Sequence, residues 1–279
     1  MSIPLCSRTG DILEPMLKEQ WFLNTEKMFQ ESQNAVRTSI LKLIPKSREN
    51  LWNEYTSKFN NDWCISRQLW WGQQIPAYKC TSKEDNKYFT WIAASNIDEA
   101  RMKGKEYFKT KDFFVEQDND VFDTWFSSTI LPLAIFGWPN RDSKMNNTDL
   151  KFDDFYPTNL LETGHDIMFF WVLRMAAMCH TLSDGKFPFR EVLFHGLVLD
   201  SQGRKMSKSI GNVIDPMDLI DGTTLNVLEN RVKESNLDEK EKKTSIKNQH
   251  QFYPNGIPQV GCDAMRMGLL IQDFKSNFN

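Results

Sequence analysis

The sequence predicts an open α/β sheet with ligands at the carboxyl ends of its strands, and three observations support it. Leu160-Leu161-Glu162 reads as a short strand that runs through Thr163-Gly164 into a helix, apolar nearly all round, from Gly164 to about Thr181. Val192 to Leu199 is a continuous apolar run, the pattern of a parallel strand covered on both faces. A basic loop, Gln202 to Asn212, and a fresh helix start at Asp215-Pro216 follow. Strand, helix, strand, loop and helix in that order imply a parallel pairing, and such sheets bind ligands outside the carboxyl ends of their strands.

Residues 3–23 mix Pro4, Gly10 and Pro15 with short apolar pieces and read as turns and short strands. Thr25 to Ile40 predicts a helix: Thr25 can cap it, Glu26 complements its positive end, and Pro45 bars its continuation. A second helix is expected over Ser47 to Phe59. Asp62 to Pro76 is polar and aromatic, and its Trp63, Trp70 and Trp71 suit a core or a binding surface equally. Residues 80–120 read as a peripheral insertion, with Ser95-Asn96-Ile97-Asp98 as a helix start and Ile97, Ala100, Tyr107 and Phe108 as an apolar face. Its Arg101, Lys103, Lys105, Lys109 and Lys111 are read as a solvated face in preference to an RNA contact.

From Asp120 the chain turns apolar through Phe136, and a polar linker, Asn140 to Thr148, precedes Phe155-Tyr156-Pro157. Thr163 can cap the apolar helix, and Asp166 falls near its positive end. The helix from Asp215-Pro216 is expected to end near Asp221-Gly222. Residues 229–250 mix both charge signs densely and read as a solvated helix or an insertion. Gly256 to Leu270 begins another apolar helix.

Composition narrows the function classes. At 279 residues with 25% charged and 40% hydrophobic residues, the chain can bury a large core, and nine Trp and twenty Phe suit large pockets as well as packing. A formal net charge of −3 means that a nucleic-acid partner must be met by local basic patches, not by a global field. The five cysteines are odd in number and form no Cys-x-x-Cys pair, which argues against a disulfide framework and a zinc site and for a reducing compartment. The start carries no secretory pattern, and the most apolar window, Ile167 to Cys179, is interrupted by Arg174 and too short for a bilayer. A cytoplasmic protein without a membrane partner is expected, with the mitochondrion left open.

The basic loop carries the chemistry. Gln202-Gly203-Arg204-Lys205-Met206-Ser207-Lys208-Ser209-Ile210-Gly211-Asn212 presents lysines, hydroxyls and glycines between a strand and a helix, an arrangement that can meet a polyphosphate. Lys205 to Ser209 match in full the Lys-Met-Ser-Lys-Ser signature of class I aminoacyl-tRNA synthetases. Four stretches in order, Asp62 to Pro76, Asp120 to Pro139, Phe155 to Met175 and Phe189 to Pro216, resemble the valyl-tRNA synthetases of that class. The likeness extends to Pro4 to Phe22 and Phe252 to Leu270.

This resemblance implies a partial Rossmann-like catalytic domain with a small insertion and the start of a helical stem-contact region. Residues 1–60 would be the tail of the editing insertion, 61–220 the second half of the catalytic domain with the insertion at 80–120, and 221–279 the stem-contact region. It implies that valine is activated with ATP, accompanied by Mg2+, and transferred to tRNA(Val). Lys205 and Lys208 would face the ATP phosphates, with Lys208 stabilising the pentavalent phosphorus and the departing pyrophosphate, and Ser207 and Ser209 would assist. Gly164 and His165 would meet the adenosine, His165 as a structural or ribose-edge residue and not a general base. Glu162 and Asp166 would accept bonds from the ribose or the substrate ammonium. Trp125, Ile167 and Trp171 would line a small aliphatic pocket, and no metal is expected on protein side chains.

The chain departs from the family in having no His-x-Gly-His motif; its only histidines are His165, His180, His195 and His250. It therefore reads as an internal slice, expected to be inactive alone. Half a doubly wound sheet would leave a strand edge and one face of Ile167 to Cys179 exposed, inviting association. The alternative is a non-catalytic protein that binds tRNA or a synthetase.

Overall fold

The computed structural model describes residues 3–6, 9–58, 62–85, 87–110, 112–140, 150–207, 210–273 and 275–278. Lys111, the linker at 141–148, and Lys208 and Ser209 thus lie outside the described residues. Two compact units are formed: Met1–Thr38, Trp52–Pro157 and Phe169–Pro188 make the first, and Ser39–Leu51, Thr158–Met168 and Phe189–Asn279 the second.

The second unit holds the parallel sheet. Phe189–His195 is its middle strand, parallel to Lys42–Ile44 on one side and to Thr158–Gly164 on the other. Val192 and Phe194 are fully buried, and the alternating Glu191, Leu193 and His195 face the other side half-buried. The register sets Leu193 opposite Glu162 and His195 opposite Gly164, so the two strands end level. Thr158–Gly164 is an edge strand among the described residues, and its Leu160 is half exposed.

The middle strand starts earlier and stops sooner than the apolar run Val192 to Leu199 suggests. After His195 the backbone leaves the sheet: Leu199 N–H donates to Phe278 O at 2.7 Å, and Leu199 pairs antiparallel with Lys205. Strand and hairpin are equally apolar here, so hydropathy does not mark the change. The helical stretch after Gly164 is also composite, with a 3-10 turn at His165–Ile167, π-helical turns over Met168–Leu173 and an α-helix only from Arg174–Leu182. Thr163 does not cap it. That residue is buried in the strand, and the turn starts after Gly164.

Four further helices complete this unit: Pro216–Asp221, Leu225–Glu234, Glu239–Phe252 and Cys262–Leu270. The charged region 229–250 thus resolves into parts of two helices, the second capped by Asp238, whose side chain accepts from Glu241 N–H. Each buries a narrow face, Leu228 and Val232 on one and Ser245 on the other.

In the first unit, Arg174–Leu182 packs against the helices Glu26–Arg37 and Thr124–Thr129. Whereas Phe170 is 47% exposed, Val172 to Cys179 after it are all buried, so that part of Ile167 to Cys179 offers no exposed face. Its cover comes from Glu26–Arg37, which buries Phe29, Ala35 and Val36. Large apolar exposure occurs instead at Trp70 and Trp71, 97% and 81% exposed, whereas Trp63 is buried.

Trp63 belongs to a charged, aromatic cluster. The Arg174 guanidinium lies 4.1 Å from its ring centroid, and Asp123 accepts from Trp63 Nε1 at 3.2 Å and pairs with Arg67 at 3.1 Å. Burial pushes Arg174 down to about 10, against the opposing pull of Asp123. The insertion is a three-stranded antiparallel sheet, with Ala77–Ser82 between Phe89–Ala93 and Phe113–Gln117, under the helix Ile97–Phe108. Asn96 caps that helix by accepting from Glu99 N–H at 2.9 Å, while Glu99 reaches back to Ser95 N–H. Among the described residues no helix is long and apolar enough to cross a membrane.

Phe194 is fully buried in the middle strand. Phe194→Ala is expected to lower stability by about 3–5 kcal/mol, read by denaturant unfolding.

Candidate functional site

The level ends of two parallel strands place their exits side by side. Gly164 leads into the turn His165–Ile167, and His195 into Gly196. The turn folds Asp166 back so closely that a Cβ on Gly164 would lie 2.6 Å from Asp166 Oδ1. A side chain at Gly164 would push the Asp166 carboxylate out of this position. His165 Nδ1 lies 3.2 Å from His195 O, and His195 Nε2 lies 3.1 Å from Glu162 Oε1.

Lys205 reaches this group from the loop. Its ammonium donates to the Asp166 carboxylate, with 61% of the lysine side chain still exposed and 26% of the aspartate. Burial pushes the Asp166 carboxyl up, but the Lys205 ammonium outweighs it and holds the group below its ordinary range. An accessible cation beside an ionised carboxylate is thereby set at the carboxyl end of the sheet. A ligand carrying both a phosphate chain and hydroxyl or ammonium donors would find a partner for each.

The loop is anchored by a residue that the sequence reading passed over. Asp200 is buried, and its carboxylate accepts from Gln202 N–H at 2.9 Å, Arg204 N–H at 2.8 Å, Arg204 Nε at 2.9 Å and Asn212 Nδ2 at 2.9 Å. Asn212 Oδ1 in turn accepts from Ser207 N–H at 2.8 Å. Burial would raise the Asp200 carboxyl, yet the bonds from Asn212 and Arg204 hold it at about 2. Asp200 to Gly203 carries a signal that finds it, an aspartate followed by a glycine at the far side of a tight turn.

Of the residues singled out in sequence, Glu162, Gly164, His165, Asp166, Ile167, Lys205 and Ser207 belong to the second unit, and Glu162, Gly164, His165, Asp166 and Lys205 are tied through the contacts above. Trp125 and Trp171 belong to the first unit, where Trp125 stacks on Phe170 at 6.0 Å between ring centroids. Among the described residues no group of three or more His, Cys, Asp or Glu side chains is arranged to hold a metal.

Residues 6–279 match the family described as tRNA synthetases class I (I, L, M and V). The chain belongs to the class I tRNA synthetases. It is 42% identical over 96% of its length to a probable mitochondrial valine–tRNA ligase of Dictyostelium discoideum, covering 27% of that protein. It is 44% identical, again over 96% of its length, to a valine–tRNA ligase of Homo sapiens, covering 21% of it. The chain thus spans about a quarter of the length of the curated relatives it matches. Among solved structures, methionyl-tRNA synthetase of Mycobacterium tuberculosis bound by methionyl-adenylate aligns over 90% of the chain and 40% of its own, with a TM-score of 0.52 at 20% identity. That likeness shows a shared fold.

A depressed carboxyl pKa stabilises the folded state above its unfolded value and loses that contribution as pH falls through the folded one. For Asp200 the window runs from its ordinary 3.8 down to about 2. The contribution should be complete above the upper bound and vanish towards the lower. Asp200→Asn should flatten the pH dependence of unfolding in this window, as read by denaturant melts at several acid pH values.

Proposed function

We propose that this synthetase chain contributes the lysine-loop half of a valine–tRNA ligase active site. The observation that carries the reading is the Lys205–Asp166 pair at the carboxyl ends of two parallel strands. The 42–45% identity to eight valine–tRNA ligases over 96–97% of this chain supports valine as the amino acid.

In this reading the valine carboxylate attacks the α-phosphorus of ATP. A bond forms from carboxylate oxygen to phosphorus, the bond to the β-bridging oxygen breaks, and pyrophosphate leaves with that electron pair. Negative charge builds on the phosphate oxygens as this happens, so a positioned ammonium stabilises the transition state more than the ground state. Lys205 and Lys208 supply that charge, with Ser207 and Ser209 bonding the phosphates. Mg2+ would arrive with ATP and share the same oxygens. Asp166 exchanges its Lys205 partner for a ribose hydroxyl or the substrate ammonium, with Glu162, Gly164 and His165 beside it. tRNA(Val) then accepts the valyl group on its terminal ribose.

The division into 1–60, 61–220 and 221–279 as editing tail, catalytic half and start of the stem-contact region belongs to the same proposal. So does a cytoplasmic location, supported by an odd number of widely spaced cysteines. The His-x-Gly-His motif does not occur in the chain, so these 279 residues supply one half of the chemistry.

Lys205→Ala should weaken Mg·ATP binding roughly tenfold or more by calorimetry, the scale of one charge-assisted hydrogen bond. Lys42→Ala, which removes an ammonium paired with Glu191, should leave it unchanged. Equal effects of the two substitutions would refute the assignment. The 279 residues alone should show no valine-dependent exchange of pyrophosphate into ATP, and exchange well above background would contradict the division of labour.

A further inference from the structure

We infer that Asp200 and Asn212 form a clasp that ties the two ends of the lysine loop together and sets the reach of Lys205. They act as positioning residues and touch no substrate, and the inference rests on the phosphate-binding reading of the loop.

The loop leaves the hairpin at Lys205 and returns at Gly211-Asn212. Backbone bonds from Ile210 N–H at 3.2 Å and Gly211 N–H at 3.1 Å to Ser207 O bring the return close to Ser207, and the side chains of Asp200 and Asn212 tie it to the hairpin. The Asp200 carboxylate closes the near side, gathering Gln202 N–H, Arg204 N–H and the Arg204 guanidinium around the turn at Gly203. Asn212 closes the far side with three bonds: Nδ2 to Asp200 Oδ2 at 2.9 Å, Nδ2 to Lys205 O at 3.3 Å, and Oδ1 from Ser207 N–H at 2.8 Å. One amide side chain therefore holds the backbone of Lys205 itself, the backbone two residues later, and the buried carboxylate behind both.

The far end is braced independently. Gly211 has φ +70°, and a side chain there would run into Leu237, so the return turn needs glycine. Ser245 Oγ, on the helix Glu239–Phe252, donates to Ile210 O at 3.2 Å. Asn212 is thus fixed on its own side before it reaches Asp200. A bond between two fixed ends restricts the segment that they enclose, and Lys205 lies at the edge of that segment. The ammonium is then presented to a phosphate without a loop-ordering cost at the moment of binding.

The clasp is tested by tryptic cleavage after Arg204 and Lys205 in the intact chain, with thermal unfolding as the control for global folding. Asp200→Asn and Asn212→Ala should each speed loop cleavage roughly tenfold without a matching fall in Tm, as loss of a buried hydrogen bond or two would give. Asp200→Asn combined with Asn212→Ala should cleave little faster than the faster single variant, because both singles break the same bond. Single variants within about twofold of the parent, or a double variant whose effect is the product of the two singles, would overturn the clasp. Binding of Mg·pyrophosphate is measured alongside: it should weaken in Asn212→Ala and no further in the double variant. Cleavage is read without ligand, so failure of the parent chain to bind pyrophosphate would count against the phosphate reading, and the cleavage rates would still decide the clasp.

Discussion

The parallel pairing of Phe189–His195 with Thr158–Gly164 is the constraint on which the site depends. Its register brings His195 opposite Gly164 and so makes both strands end at one level. A slip by one residue would send Glu162 and His195 to the other face and separate the exits from which Asp166 and the hairpin arise. Burial of Val192 and Phe194 on one face of the middle strand is what holds the register, since a slip would expose them. Two buried apolar side chains thereby fix where the polar ones stand.

Electrostatics then divides the polar groups into two kinds. Asp200 is buried, satisfied by four donors, and committed to the shape of the loop. Asp166 and Lys205 are partly exposed and satisfied chiefly by each other, so a ligand can replace either partner at little cost. Both aspartates are held in their ionised form, but for different ends: one anchors, the other exchanges.

Much of this was legible in the sequence, with failures that have physical reasons. Strand, helix and strand order, the lysine loop and the turn glycine before Asp166 all follow from local pattern and spacing. The end of the middle strand does not, because Leu197 to Leu199 stay apolar after they leave the sheet to pair with Lys205 and Phe278. Thr163 has the chemistry of a cap but lies one residue too early, inside the strand. The insertion's strands were missed because Lys79, Thr81 and Thr90 dilute their alternation, and their stability comes from non-local pairing with one another. Trp63, Trp70 and Trp71 were indistinguishable by type, and only tertiary packing separates the buried one from the two exposed. Asp200 was readable from its turn, but nothing local announces its bond to Asn212, twelve residues on.

If the lysine loop and the turn after Gly164 form one phosphate-facing site, as proposed, a bound nucleotide should protect both together. Hydrogen exchange of the chain with and without Mg·ATP tests it most directly. The account predicts slower exchange over residues 162–167 and 199–207 together, with little change in the insertion strands Ala77–Ser82 and Phe89–Ala93. Saturating Mg·ATP that leaves both segments unchanged, or protects only the insertion, would contradict it.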